Sequence, residues 1–160
     1  MKSASTGRSY DLYIHIPSDY AQNKDAKYPV LYILDGQWDF KLMDSVLGDG
    51  PKFLKFLQTE LIPWVEKNYR ADPSRRLLQG SSYAGLFTLY ALFADPGLFH
   101  GYIAASPAAT YGDRFVFRQE AEYAAAHKEL PATLFLAVGG SEGLATPVQE
   151  FMRTLRSRGY

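Results

Sequence analysis

Residues 77–93 read Leu-Leu-Gln-Gly-Ser-Ser-Tyr-Ala-Gly-Leu-Phe-Thr-Leu-Tyr-Ala-Leu-Phe: a short apolar run, a turn of small residues, then a longer apolar run of helix formers. A strand that passes directly into a helix crowds its own backbone, and only small side chains relieve the crowding. Ser82 fits the apex of such a turn, with Gly80 two places before it, Ala84 two after and Gly85 three after. Ser81 fits poorly, because Gln79 and Tyr83 would then occupy the crowded places. The pattern is that of a nucleophile elbow, G-x-S-x-G, with Ala84 in place of the last glycine. The alternative is a βα turn whose serines cap the helix. The lysine and glycine spacing of a phosphate-binding P-loop is missing from this stretch.

The 160 residues suffice for one domain, taken as 1–160, with a single core. Lys plus Arg equals Asp plus Glu at 17 each, so charge suggests neither a nucleic-acid nor an anionic-membrane partner, and a small molecule is the expected one. No apolar run approaches a membrane span, and the polar start Met-Lys-Ser-Ala-Ser-Thr-Gly-Arg lacks a signal-peptide stretch, which slightly favours the cytoplasm. The absence of cysteine excludes a disulfide framework, a thiolate metal site and a cysteine nucleophile. No cofactor motif is expected.

Strand and helix patterns alternate along the chain. Residues 10–16 read as a strand ending at Pro17, and 29–34 as a continuous apolar strand ending at Asp35-Gly36. Apolar residues from Phe53 to Val65 recur at helical spacing, with a kink expected at Pro63. Strands follow at 75–79, 101–106 and 132–138. Asp113 is a candidate cap for a helix through Ala126, Thr146 to Gln149 a capping-box start, and Gly159 a helix stop. The alternation predicts an α/β fold with a mostly parallel sheet, strands in sequence order, and helices on both faces.

Four separated stretches then carry a family resemblance: Tyr28 to Gln37, Glu60-Leu61-Ile62-Pro63-Trp64-Val65-Glu66, Gly80 to Leu86, and Ala104-Ala105-Ser106-Pro107. Together and in this order they resemble the putative esterase family of α/β-hydrolases, which includes siderophore (enterochelin-type) and esterase D-like enzymes. The resemblance implies an α/β-hydrolase-like three-layer sandwich and hydrolysis of a small-molecule carboxylic ester. It implies Ser82 as the nucleophile and the Tyr83 backbone N–H as one oxyanion-hole donor. Gly36-Gln37 match the loop that supplies the second donor, and Glu142 matches the triad acid. A turn glutamate exposed to solvent is the plain alternative for Glu142.

Two departures shape the remaining expectations. The family's histidine follows one strand beyond the helix that ends here near Arg158, whereas this chain stops at Tyr160. His15 falls inside a predicted strand, and His100 and His127 precede strands, at the sheet edge opposite the elbow. The stretch 37–50 is also too short for the helix and strand the family inserts there. A minimal or truncated version of the fold is therefore expected, with 10–16 pairing antiparallel to 29–34 or an exposed edge inviting self-association. Slow or absent turnover follows. The competing function is a non-catalytic α/β-hydrolase-like binding domain.

Overall fold

The computed structural model describes residues 1–34 and 46–160. Four strands, β1 (Tyr28–Ile33), β2 (Ala71–Ser81), β3 (Gly101–Ala105) and β4 (Thr133–Ala137), form one sheet in the order β1-β2-β3-β4, every pair parallel. Between them run α1 (Val46–Phe56) and α2 (Ile62–Asn68), then α3 (Ser82–Ala94), α4 (Tyr111–Ala126) and finally α5 (Ala145–Arg158). Sequential strands lie side by side with a helix in each crossover, as the alternation predicts.

The period of two along each strand divides the sheet into unlike faces. Tyr32, Leu78, Tyr102 and Leu134 share one cross-strand row, and the first three are 7%, 0% and 1% exposed. Against this face pack Phe53 of α1, Leu86, Phe87 and Leu89 of α3, Val116 of α4, and Val148 and Phe151 of α5, in one continuous core. The next row is Ile33, Gln79, Ile103 and Phe135, in which Ile33 is 57% and Phe135 62% exposed. Among the described residues the helices therefore gather on one face, and the expectation of helices on both is met on one only.

The strand expected at 10–16 does not form: Lys2↔Ser9 is the isolated bridge of the N-terminal region, and Tyr13, Ile14 and Ile16 are exposed. The segment is anchored elsewhere at both ends. The Glu60 carboxylate accepts hydrogen bonds from Ser3 Oγ, Ala4 N and Ser5 N, and Tyr10 stacks on Phe56 at 4.7 Å. At the other end the Arg70 guanidinium lies over the Tyr20 ring at 3.6 Å and donates to the Tyr20 and Ala26 carbonyls. β1 consequently keeps an edge with no strand partner among the described residues. The question of a strand within 37–50 falls largely outside the described residues; 46–50 are helical.

Pro63 acts on the helix before it. Residues Leu57–Leu61 form a π-helical turn in which Ile62 N–H donates to Leu57 O, five residues back, and α2 starts just ahead of the proline. Two expected caps are corrected. Thr110, not Asp113, stands at the N-cap of α4, while Gly112, Asp113 and Arg114 all take left-handed angles (φ 60°, 53° and 58°). Leu144, not Thr146, stands at the N-cap of α5. Asp113 lies within the left-handed kink that precedes the regular part of α4, and Thr146 already lies inside the first turn of α5, so neither stands at a cap. Gly159 does end α5, at φ 84°.

Candidate active site

β2 runs directly into α3 with no intervening loop, and the junction falls between Ser81 and Ser82. Ser81 is still extended (φ −118°, ψ 152°), whereas Ser82 takes φ 55°. That left-handed angle is uncommon for a residue with a side chain and strains the backbone by roughly 1–3 kcal/mol. Small neighbours make the turn possible. A Cβ on Gly80 would lie 2.3 Å from Ala84 O and 2.8 Å from Thr88 Oγ1. One on Gly85 would lie 3.0 Å from Ala105 O and 3.1 Å from Pro107 Cα. Ala84 tolerates its methyl, which is buried at 1% exposure. Ser81, the N-cap of α3, makes no side-chain capping hydrogen bond, which argues against serines placed there merely as caps.

The strain leaves Ser82 exposed at the carboxyl end of β2, where ligands bind in parallel α/β sheets. The Tyr83 N–H belongs to the first turn of α3, whose amides have no intrahelical acceptor and whose dipole favours negative charge. An oxyanion forming beside Ser82 Oγ would meet that field. Gly36 and Gln37, the other expected donors, lie outside the described residues. The Tyr83 ring, 41% exposed, meets the Tyr111 ring edge-on at 5.2 Å and 87°.

Glu142 lies in the turn after β4, at the same edge of the sheet. Its Oε1 accepts hydrogen bonds from Gly139 N (3.0 Å) and Ser106 Oγ (2.9 Å). Glu142 is thus exposed yet tied on one oxygen, more ordered than a free turn carboxylate. Ser106, for which the sequence alone implies no role, follows β3 and takes φ 41°. The signal available for it was its place in Ser106-Pro107, just past a strand beside the elbow.

The histidines lie apart from this cluster. His100 precedes β3, its N–H bonded to Arg76 O, and His127 closes α4, stacked on Tyr123 at 4.3 Å. Both sit at the amino edge of the sheet, roughly 16 Å from the carboxyl edge for a five-residue strand. His15 lies in the exposed segment that pairs with no strand among the described residues. Among the described residues no hydrogen bond or ring contact joins a histidine to Ser82 or Glu142, and no group of three or more His, Asp or Glu could hold a metal ion. No helix among them is long and apolar enough to cross a membrane.

A parallel sheet with the crossover helices described, and a strained serine between its second strand and the helix that follows, defines an α/β-hydrolase-type protein. The family model described as "Putative esterase" matches residues 3–47 and 40–146, and the chain belongs to that family. It is 31% identical over 97 residues to the ferri-bacillibactin esterase BesA of Bacillus subtilis (strain 168), a match covering 59% of this chain and 34% of that protein. The BES protein from Bacillus cereus superimposes with a TM-score of 0.63 at 27% identity, covering 68% of this chain and 43% of that one. An IroE-like serine hydrolase from Shewanella oneidensis shares the fold at a TM-score of 0.75 and 22% identity, over 91% of this chain and 64% of that one. The matches thus span about a third to two thirds of their counterparts' lengths.

Proposed function

We propose that the chain cleaves carboxylic esters by nucleophilic attack of Ser82. The observation that carries this reading is the left-handed backbone of Ser82 (φ 55°) at a strand-to-helix junction where a Cβ on Gly80 would clash with Ala84 and one on Gly85 would be tight against Ala105 and Pro107. The fold tolerates that strain where a cap would require none, and strain of this kind gathers at functional sites. In the step proposed, Ser82 Oγ adds to the ester carbonyl carbon while a base takes its proton. The negative carbonyl oxygen faces the Tyr83 N–H. Collapse of the adduct breaks the bond to the alcohol oxygen, which leaves with a proton, and water later releases the acyl group from Ser82. Glu142 is the acid that would orient the base. The substrate class we assign is the siderophore ester, after the esterases of ferri-bacillibactin and enterobactin that this chain is similar to.

The test is acetylation of Ser82 and release of nitrophenol from nitrophenyl acetate by the 160-residue chain, beside Ser82→Ala, with and without added 4-methylimidazole. We expect slow Ser82-dependent release, about 10³ to 10⁴ over water at most, as for an enzyme lacking one triad member. Added imidazole should raise it in the parent and not in the variant beyond the free imidazole rate. Equal rates for parent and Ser82→Ala under both conditions would refute the esterase reading and favour a binding domain. Fast turnover without imidazole would identify a histidine of this chain as the base, and His15→Ala, His100→Ala and His127→Ala would show which.

A further inference from the structure

We infer that Ser106 is a positioning residue for the acid of this site: its hydroxyl holds Oε1 of Glu142 so that the other oxygen, Oε2, is left to orient a base. The inference rests on the reading of Glu142 as that acid.

Three observations carry it. First, both hydrogen bonds to the Glu142 side chain, from Ser106 Oγ at 2.9 Å and Gly139 N at 3.0 Å, fall on Oε1, and none among the described residues uses Oε2. A carboxylate anchored through one oxygen has its plane fixed while its second oxygen stays free to accept. Second, the segment 106–108 is fastened on both sides. Ser106 N–H donates to Ala137 O at 2.7 Å, extending the β3–β4 ladder, and Ala108 N–H donates to the carbonyl of Ser82 at 2.9 Å. The close approach of Gly85 to Pro107 Cα packs the same segment against the elbow. The hydroxyl that holds the acid is therefore set in the same backbone unit that holds the nucleophile. Third, Ser106 keeps a side chain at φ 41°, where glycine would sit without strain. A purely structural role would be served better by glycine, so the retained hydroxyl points to the bond it makes.

That third observation supplies the discriminating variant. Ser106→Gly removes the hydroxyl and relieves the backbone, so a merely structural role for the bond to Glu142 predicts a lowered melting temperature with unchanged chemistry. Ser106→Asn tolerates a positive φ and restores a donor. The readout is the rate of Ser82 acetylation by nitrophenyl acetate, mapped by mass spectrometry, with and without 4-methylimidazole. We expect Ser106→Gly to keep its melting temperature and lose about tenfold of the imidazole-dependent rate, the order of one charge-assisted hydrogen bond. Glu142→Gln should show at least the same loss, and Ser106→Asn should recover part of it. A parent rate for Ser106→Gly alongside a slowed Glu142→Gln would overturn the role of Ser106 and leave the acid in place. A parent rate for Glu142→Gln would overturn the acid and Ser106 with it. Loss of any difference between the parent and Ser82→Ala would overturn the proposed function itself.

Discussion

Replacing Gly80 by alanine should be among the most damaging single-methyl changes this fold can suffer. The added Cβ would lie 2.3 Å from Ala84 O and 2.4 Å from Ala84 C, distances that real Cβ atoms do not show. Neither atom can yield cheaply, because Ala84 is buried backbone in the first turn of α3, which is packed on β2 and β3. The methyl would also come within 2.8 Å of Thr88 Oγ1, which donates to Ala84 O at 2.8 Å, so that bond is disturbed as well. Overpacking of this kind costs roughly 1–3 kcal/mol, and a lost buried hydrogen bond adds about 1 kcal/mol. The total approaches about 4 kcal/mol, which at roughly 2–4 °C per kcal/mol for a chain of this size lowers Tm by about 10 °C. Gly140→Ala is the matched control, since its Cβ would meet nothing within 4 Å. Calorimetry or thermal circular dichroism on the two variants decides the matter. A Gly80→Ala protein melting within about 2 °C of the parent would mean that β2 and α3 meet at a looser angle, and the strained elbow would lose its structural basis.

Ser82→Gly should raise stability by roughly 1 kcal/mol, by removing a side chain from a left-handed position, while abolishing ester cleavage; an unchanged or lower Tm would show that Ser82 is not strained. The Glu60 carboxyl is held down at about 2 by hydrogen bonds from the Ser5, Ala4 and Ser3 groups. A depressed folded-state value means that its contribution is present above the unfolded-state value near 4.5 and is lost as pH falls toward 2. Protection of the Ala4 and Ser5 amides, taken relative to the intrinsic exchange rate at each pH, should accordingly fall over that window, and in Glu60→Gln it should be weakened already at neutral pH. Ile33→Thr with Phe135→Lys, on the open face of the sheet, should reduce binding of an apolar dye without lowering Tm; a large loss of stability would show that these side chains are packed.

The order of elements and the elbow are written in local sequence. Each apolar run between turn signals carries its own strand or helix, and right-handed crossovers leave little freedom in ordering parallel strands. Gly80, Ser82, Ala84 and Gly85 likewise declare the turn, because backbone crowding is a matter of neighbours along the chain. The N-terminal segment escaped such reading. Residues 10–16 alternate well enough for a strand, yet Glu60 and Arg70, 44 or more residues away from the groups they bind near the start of the chain, hold its flanks elsewhere. Caps failed for a related reason: Asp113 and Thr146 are good capping residues, but the geometry of the preceding turns decides where the first helical hydrogen bond closes. The site divides along the same line. Ser82 is legible in a single strand-turn-helix, whereas the hydrogen bond between Ser106 and Glu142 joins residues 36 positions apart. It depends on β3 and β4 being neighbours in register, with Ala105 opposite Ala137. Local crowding is encoded by adjacent residues; the meeting of two loops at one edge of a sheet exists only once the strands have paired.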